Sequence, residues 1–110
     1  MQNNDVNEAH RLSDAIWEQI EPLLPPVIPN PRGGRPRMDD RKAMEAILYA
    51  LHIDFKWTSL PRSLGSPNTI RKRFQEWRRA GVFERMWRSG LLTYDELRAL
   101  FWHGRRRTGT

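Results

Sequence analysis

The chain has 110 residues, 38% of them hydrophobic and 29% charged, with a net charge of +6 and a pI of 10.7. That length suits one domain around one core, and so basic a balance favours a polyanionic partner over the blander reading of a merely soluble cationic domain. The absence of cysteine excludes disulfides, thiolate metal sites and cysteine nucleophiles and fits a reducing cytoplasm; no apolar run approaches the roughly 20 residues that cross a bilayer.

The first residues are polar and lack the apolar stretch of a signal peptide, so 1–11 are expected to form a disordered tail. Ser13 opens the first helix as its cap, with Asp14 and Glu18 near the positive end of the dipole. Leu12 before it serves as a hydrophobic staple toward Trp17. Ile16, Trp17, Ile20, Leu23 and Leu24 recur at helical spacing and are expected to face the core. Pro22 distorts or ends the last turn.

Residues 25–38 read as a linker inside the domain. Pro25, Pro26, Pro29, Pro31 and Pro36, with Gly33 and Gly34, are too dense for a helix or a central strand. Asp39 or Asp40 caps a second helix. Its stripe of Ala43, Ile47, Ala50 and Leu51, widened by Met44, Leu48 and Tyr49, marks the buried centre of a bundle. Trp57 to Leu64 reads as a short helix and Gly65 as a corner that requires glycine.

Ser66-Pro67 restarts the chain as cap and first helical residue. Ile70, Phe74 and Trp77, at i, i+4 and i+7, mark the buried face, and Gly81 ends this helix. A short helix over 82–89 follows, with Phe83, Met86 and Trp87 inward. Thr93-Tyr94-Asp95-Glu96 is a capping box for a last helix that carries Leu97, Leu100 and Phe101 on its apolar side. Residues 104–110 form a basic tail with Arg105, Arg106 and Arg107, which either touches phosphates or is simply a solvated end. No stretch alternates as a strand does and no repeat is visible. The expected fold is an all-α bundle of about five to six helices over 12–103, containing a helix-turn-helix.

Function concentrates between Trp57 and Arg79. Leu60, Leu64, Ile70 and Phe74 are expected to hold two helices at a fixed angle around Gly65, leaving the second free to enter a major groove. Its other faces carry Ser66, Asn68, Thr69, Arg71, Lys72, Arg73, Gln75, Arg78 and Arg79. Arginine can bond guanine O6 and N7 together, while asparagine and glutamine can do so with adenine. The amides of the first turn suit a phosphate, and Glu76 alone opposes the positive charge. The rival reading is a solvated basic face. Arg32-Gly33-Gly34-Arg35-Pro36-Arg37 reads either as a minor-groove arm, with Arg35 and Arg37 as its contacts, or as an ordinary basic linker.

Nothing points to catalysis. His10, His52 and His103 show no ligand spacing. Asp39, Asp40, Asp95 and Glu96 serve as helix caps, which leaves Asp54 without an evident job. No catalytic residue, metal or cofactor is therefore expected. Trp17, Trp57, Trp77 and Trp87 are expected to pack in the core.

Taken in order, several pieces resemble the amino-terminal domain of DDE-type insertion-sequence transposases. They are Leu12-Ser13-Asp14 with Trp17, Pro22-Leu23-Leu24-Pro25, Gly34-Arg35-Pro36-Arg37 with Asp40-Arg41, and Trp57 with Leu60-Pro61. Ser66 to Ile70, Arg73-Phe74-Gln75-Glu76-Trp77, Gly81-Val82-Phe83-Glu84 and Gly90-Leu91-Leu92 complete the set. The resemblance implies binding of element-end double-stranded DNA by a bacterial mobile-element protein, at the nucleoid within the cytoplasm. It implies homodimers or full-length transposase as further partners, and a catalytic acidic triad in a following domain, none of which this chain carries. The chain departs from the family at Gly104-Arg105-Arg106-Arg107, and both a first reading frame of a two-frame transposase and a stand-alone regulator fit that departure. The segment His52-Ile53-Asp54-Phe55-Lys56 departs from the family, which carries an arginine and a Thr-Gly pair there, so a different turn is expected. A second reading is a protein-interaction or assembly module, docking through an apolar patch at Val82, Phe83, Met86 and Leu91.

Overall fold

A computed structural model describes residues 11–26 and 37–105 of the chain. Among these are five α-helices: α1 (Asp14–Ile20), α2 (Asp40–His52), α3 (Pro67–Arg79), α4 (Val82–Arg88) and α5 (Tyr94–Arg105). Three 3-10 turns, Glu21–Leu23, Trp57–Ser59 and Arg62–Leu64, fill the joints, and no strand occurs among the described residues. The architecture is all-α, as the apolar spacing predicts.

The helix ends follow local chemistry. Ser13 Oγ accepts from the Ile16 amide at 3.2 Å, and Asp39 rather than Asp40 caps α2 by accepting from the Lys42 amide at 3.1 Å. Pro22 closes α1 at Ile20 and turns the chain into the first 3-10 segment, because its ring cannot continue an α-helix. The capping box forms in full: Thr93 Oγ1 accepts from the Glu96 amide at 3.1 Å, and Glu96 Oε1 accepts from the Thr93 amide at 2.8 Å. Ser66 makes no such side-chain bond at α3, so its hydroxyl is left for other partners.

The core is built where α2, α3, α4 and α5 meet. Met44, Ile47, Ile70, Phe74, Trp77, Val82, Met86 and Leu100 are all buried there. Ile20 completes it from α1, while Leu23 packs against its edge. Trp77 is the largest side chain fully enclosed. Truncating so large a ring leaves a cavity that costs about 3–5 kcal/mol.

Two arginines fasten the joints. Arg41 bonds the Leu12 carbonyl and, at 2.9 Å, Asp14, while Glu45 accepts from the Leu12 amide at 2.9 Å. Arg85 gives both Nε and Nη2 to the Leu23 carbonyl, at 3.1 and 2.9 Å. Together these tie the chain around α1 to α2 and α4.

Four sequence expectations change. Trp57 to Leu64 is not one helix but two 3-10 turns. Leu60 and Pro61 between them are extended, and the residue before proline is disfavoured in the helical region. Ile16 is exposed rather than inward, since Ile20 takes the buried side of α1. Trp87 is also at the surface, its ring 5.8 Å from that of Tyr94. Phe101 sits at the rim, 36% exposed, under the Arg78 guanidinium.

Phe55 is a core residue that spacing did not reveal. The α2 helix closes with the Phe55 amide donating to the Ala50 carbonyl at 2.7 Å, and both Asp54 and Phe55 adopt left-handed backbone, φ 59° and 58°. That turn swings the Phe55 ring inward to 5.6 Å from Trp57 and 5.4 Å from Phe74. The Phe74 ring also lies 5.8 Å from Trp57 and from Phe83. Tilted pairs of this kind add roughly 0.5–1.5 kcal/mol each beyond burial.

Candidate nucleic-acid interface

Gly65 makes the corner before α3 at φ 115°, ψ −180°, a region open to glycine alone. A Cβ there would stand 3.0 Å from the Met38 methyl. The corner turns the chain from Leu64 into Pro67, whose fixed φ and missing amide suit the first helical position. At the far end Gly81, at φ 78°, stops α3 and turns into α4, as expected.

Between these glycines α3 has two faces. Ile70, Arg73, Phe74 and Trp77 are buried. On the opposite side Asn68, Lys72, Gln75 and Arg79 follow at i, i+4, i+7 and i+11, all exposed, which sets them in one line along the helix. Arg71 is exposed beside that line and Arg78 is half-buried. Thr69 lies on the other flank, exposed, and Ser66 is exposed at the entrance. The structure thus brings together seven of the predicted contacts on the solvent-facing side, Ser66, Asn68, Thr69, Arg71, Lys72, Gln75 and Arg79, whereas Arg78 turns its guanidinium over the Phe101 ring, 5.8 Å from its centroid.

Arg73 is not among them, which corrects the expectation that it reaches DNA. It is 4% exposed and points to the interior. Its Nη1 donates to Asp40 Oδ1 and its Nη2 to the Met38 carbonyl, both at 2.7 Å, and its guanidinium lies 5.3 Å from the Trp77 ring. Burial lowers its pKa, and neighbouring Arg37 adds to that, while Asp40 and Glu76 oppose it. Arg73 falls three residues after Ile70 and four before Trp77, so the apolar spacing already placed it on the inner side.

Arg37 lies at the edge of the same helix. It grips Glu76 with two bonds, at 3.0 and 3.4 Å, and stands 3.9 Å from Asp40. Arg35 and the rest of the proposed arm lie outside the described residues, as do Arg106 and Arg107. Among the described residues no group of three or more His, Asp or Glu side chains could hold a metal ion. No helix of the described chain is long and apolar enough to cross a membrane.

The apolar set expected to support protein docking is not a patch. Val82, Phe83 and Met86 are 0%, 3% and 1% exposed, inside the core. Exposed aromatics occur elsewhere, at Trp87, Tyr94, Phe101 and Trp102.

Fold and site together define a small all-helical protein with one helix that turns a cationic face outward between two glycine corners. Residues 12–87 match the family described as "Putative transposase of IS4/5 family", and the chain belongs to that family. It is 38% identical over 81 residues to "Insertion element IS402 uncharacterized 16.2 kDa protein" of Burkholderia cepacia, a match covering 68% of this chain and 54% of that protein. It is 31% identical over 75 residues to "Uncharacterized protein y4sN" of Sinorhizobium fredii (strain NBRC 101917 / NGR234), covering 68% and 58%. The chain therefore spans little more than half the length of these relatives. No solved structure matches it.

Proposed function

We propose that this protein is a sequence-specific binder of double-stranded DNA, acting on the ends of a mobile element through a helix-turn-helix whose second helix is α3. The observation that carries the reading is the exposed line Asn68, Lys72, Gln75 and Arg79, flanked by Arg71, on a helix whose other side is locked into the core. An α-helix fits the major groove, and amide and guanidinium groups at such spacing can read base edges there. Lys72, Arg79 and Arg71 would also meet phosphates on the groove walls. The 3-10 turns at Trp57–Ser59 and Arg62–Leu64 take the place of the motif's first helix. The aromatic cluster and the Arg73 bonds hold α3 rigid, which a reading helix needs in order to keep its register.

The family and the relative named for an insertion element support element ends as the target. On this reading the chain contributes recognition and no chemistry, and it works at the nucleoid, alone or with a transposase. A duplex selected by the protein from a random pool provides the test, by fluorescence anisotropy over a range of salt. Tight binding with a slope of about −0.9 in log K per log salt for each phosphate met is the expected result. Failure to select any sequence, or affinity unmoved by salt, would reject the reading.

A further inference from the structure

Glu76 is the single acid of α3. It projects from the flank of the exposed line, on the same side as Thr69 and away from Arg71. Without a partner its charge would repel a phosphate ridge along that flank. Arg37 meets it with two parallel N–H···O bonds, at 3.0 and 3.4 Å. The fork geometry orients both side chains. Yet the two are 39% and 44% exposed, and so open a pair contributes little to stability. Its placement at the rim of the cationic face is the more telling property.

The backbone behind Arg37 is fixed. Arg73 holds the Met38 carbonyl at 2.7 Å and Asp40 at 2.7 Å from inside. Arg37 is therefore anchored beside α3 with its guanidinium committed to a carboxylate.

Resting on the DNA reading above, we propose that Glu76 is a specificity-determining residue: it withholds Arg37 from the phosphate backbone and so lowers sequence-independent affinity. Binding to arbitrary DNA is almost wholly electrostatic, and every free cation on the face strengthens it. Base-edge contacts from Asn68 and Gln75 do not depend on Arg37. Masking one rim cation thus weakens the wrong complexes more than the right one, which is how specificity is gained by denying contacts rather than adding them.

The test compares wild type, Glu76→Gln, the double variant Glu76→Gln/Arg37→Gln, and Glu18→Gln on α1 as a control for net charge. Each is titrated with the selected duplex and with a scrambled duplex of the same composition, at several salt concentrations. Glu76→Gln is expected to bind scrambled DNA about three- to tenfold more tightly, with a salt slope steeper by about 0.9, one added phosphate contact. The selected duplex gains less, so the specificity ratio falls. Adding Arg37→Gln returns the slope to the wild-type value, and Glu18→Gln leaves it there. The inference is overturned if Glu76→Gln leaves scrambled binding unchanged, or if its gain survives the loss of Arg37. Wild type that binds neither duplex would overturn the DNA reading, and this inference with it. Wild type that binds well beside an indifferent Glu76→Gln would overturn this inference alone.

Discussion

Lys72 and Arg73 are adjacent in sequence and lie on opposite sides of α3. Lys72 is exposed on the outer line, whereas Arg73 is buried against Asp40, the Met38 carbonyl and Trp77. Arg41 and Arg85 behave like Arg73, each bonding a backbone carbonyl that its neighbours leave open. An isolated carbonyl at a chain reversal is costly to bury unpaired. A guanidinium satisfies it with several donors at once and can still reach a carboxylate. The net charge of the sequence therefore overstates the charge available to a ligand. Which cations face outward is settled by their phase relative to the apolar residues, not by their number.

Removing the inner cation tests this comparison most severely. Arg73→Ala leaves the Met38 carbonyl unpaired, Asp40 without its main partner and a void beside Trp77. The expected loss is about 2–3 kcal/mol, below the figure for a wholly enclosed pair because Asp40 keeps some contact with water. Thermal unfolding would then move down by roughly 10 °C. Arg73→Lys recovers part of this, since an ammonium reaches one of the two acceptors but lacks the fork. Unchanged stability in Arg73→Ala would mean that the inner bonds are ornamental and that the two faces do not differ as described.

Outer-face variants are expected to show the reverse pattern. Lys72→Ala and Arg79→Ala should alter stability by under about 0.5 kcal/mol, as exposed substitutions do. Each should flatten the salt dependence of DNA binding by about 0.9 per phosphate lost, uniformly across sequences. Gln75→Ala should instead cost about 1–3 kcal/mol on the selected duplex if it reads a base edge, with little change on scrambled DNA. A Lys72→Ala protein that melts early, or that binds with unaltered salt slope, would blur the distinction between the faces.

Much of this was legible in the chain. The spacing of Ile70, Phe74 and Trp77 fixed the buried side of α3, and the same arithmetic, carried to Arg73, marks that residue as inward. Its charge argues the other way, because arginine is so seldom enclosed. The capping box at Thr93 was visible because its two bonds are local. Trp87 was harder: a seven-residue helix offers too few turns to fix its phase, and the packing of Val82, Phe83 and Met86 against α3 and α5 decided it. Phe55 was illegible for a different reason. No helical or strand periodicity extends through a left-handed turn, so nothing in the spacing shows where its ring points.

That turn supplies the smallest test. Asp54 and Phe55 share nearly the same left-handed backbone, φ 59° and 58°, but their side chains justify it differently. Phe55 gains two ring contacts and burial in the core, which outweigh a backbone cost of order 1 kcal/mol. Asp54 is exposed and gains nothing comparable, although a short polar side chain tolerates this region better than most. Asp54→Gly should relieve its strain, while the greater freedom of glycine in the unfolded chain offsets part of the gain. The net expectation is stabilisation of roughly 0.5 kcal/mol, a rise of a few degrees in the unfolding midpoint. Phe55→Gly relieves the same backbone and should nonetheless destabilise, because the lost rings dominate. If both variants moved the midpoint in the same direction, the difference between an exposed and a core-facing left-handed residue would not be what holds this turn.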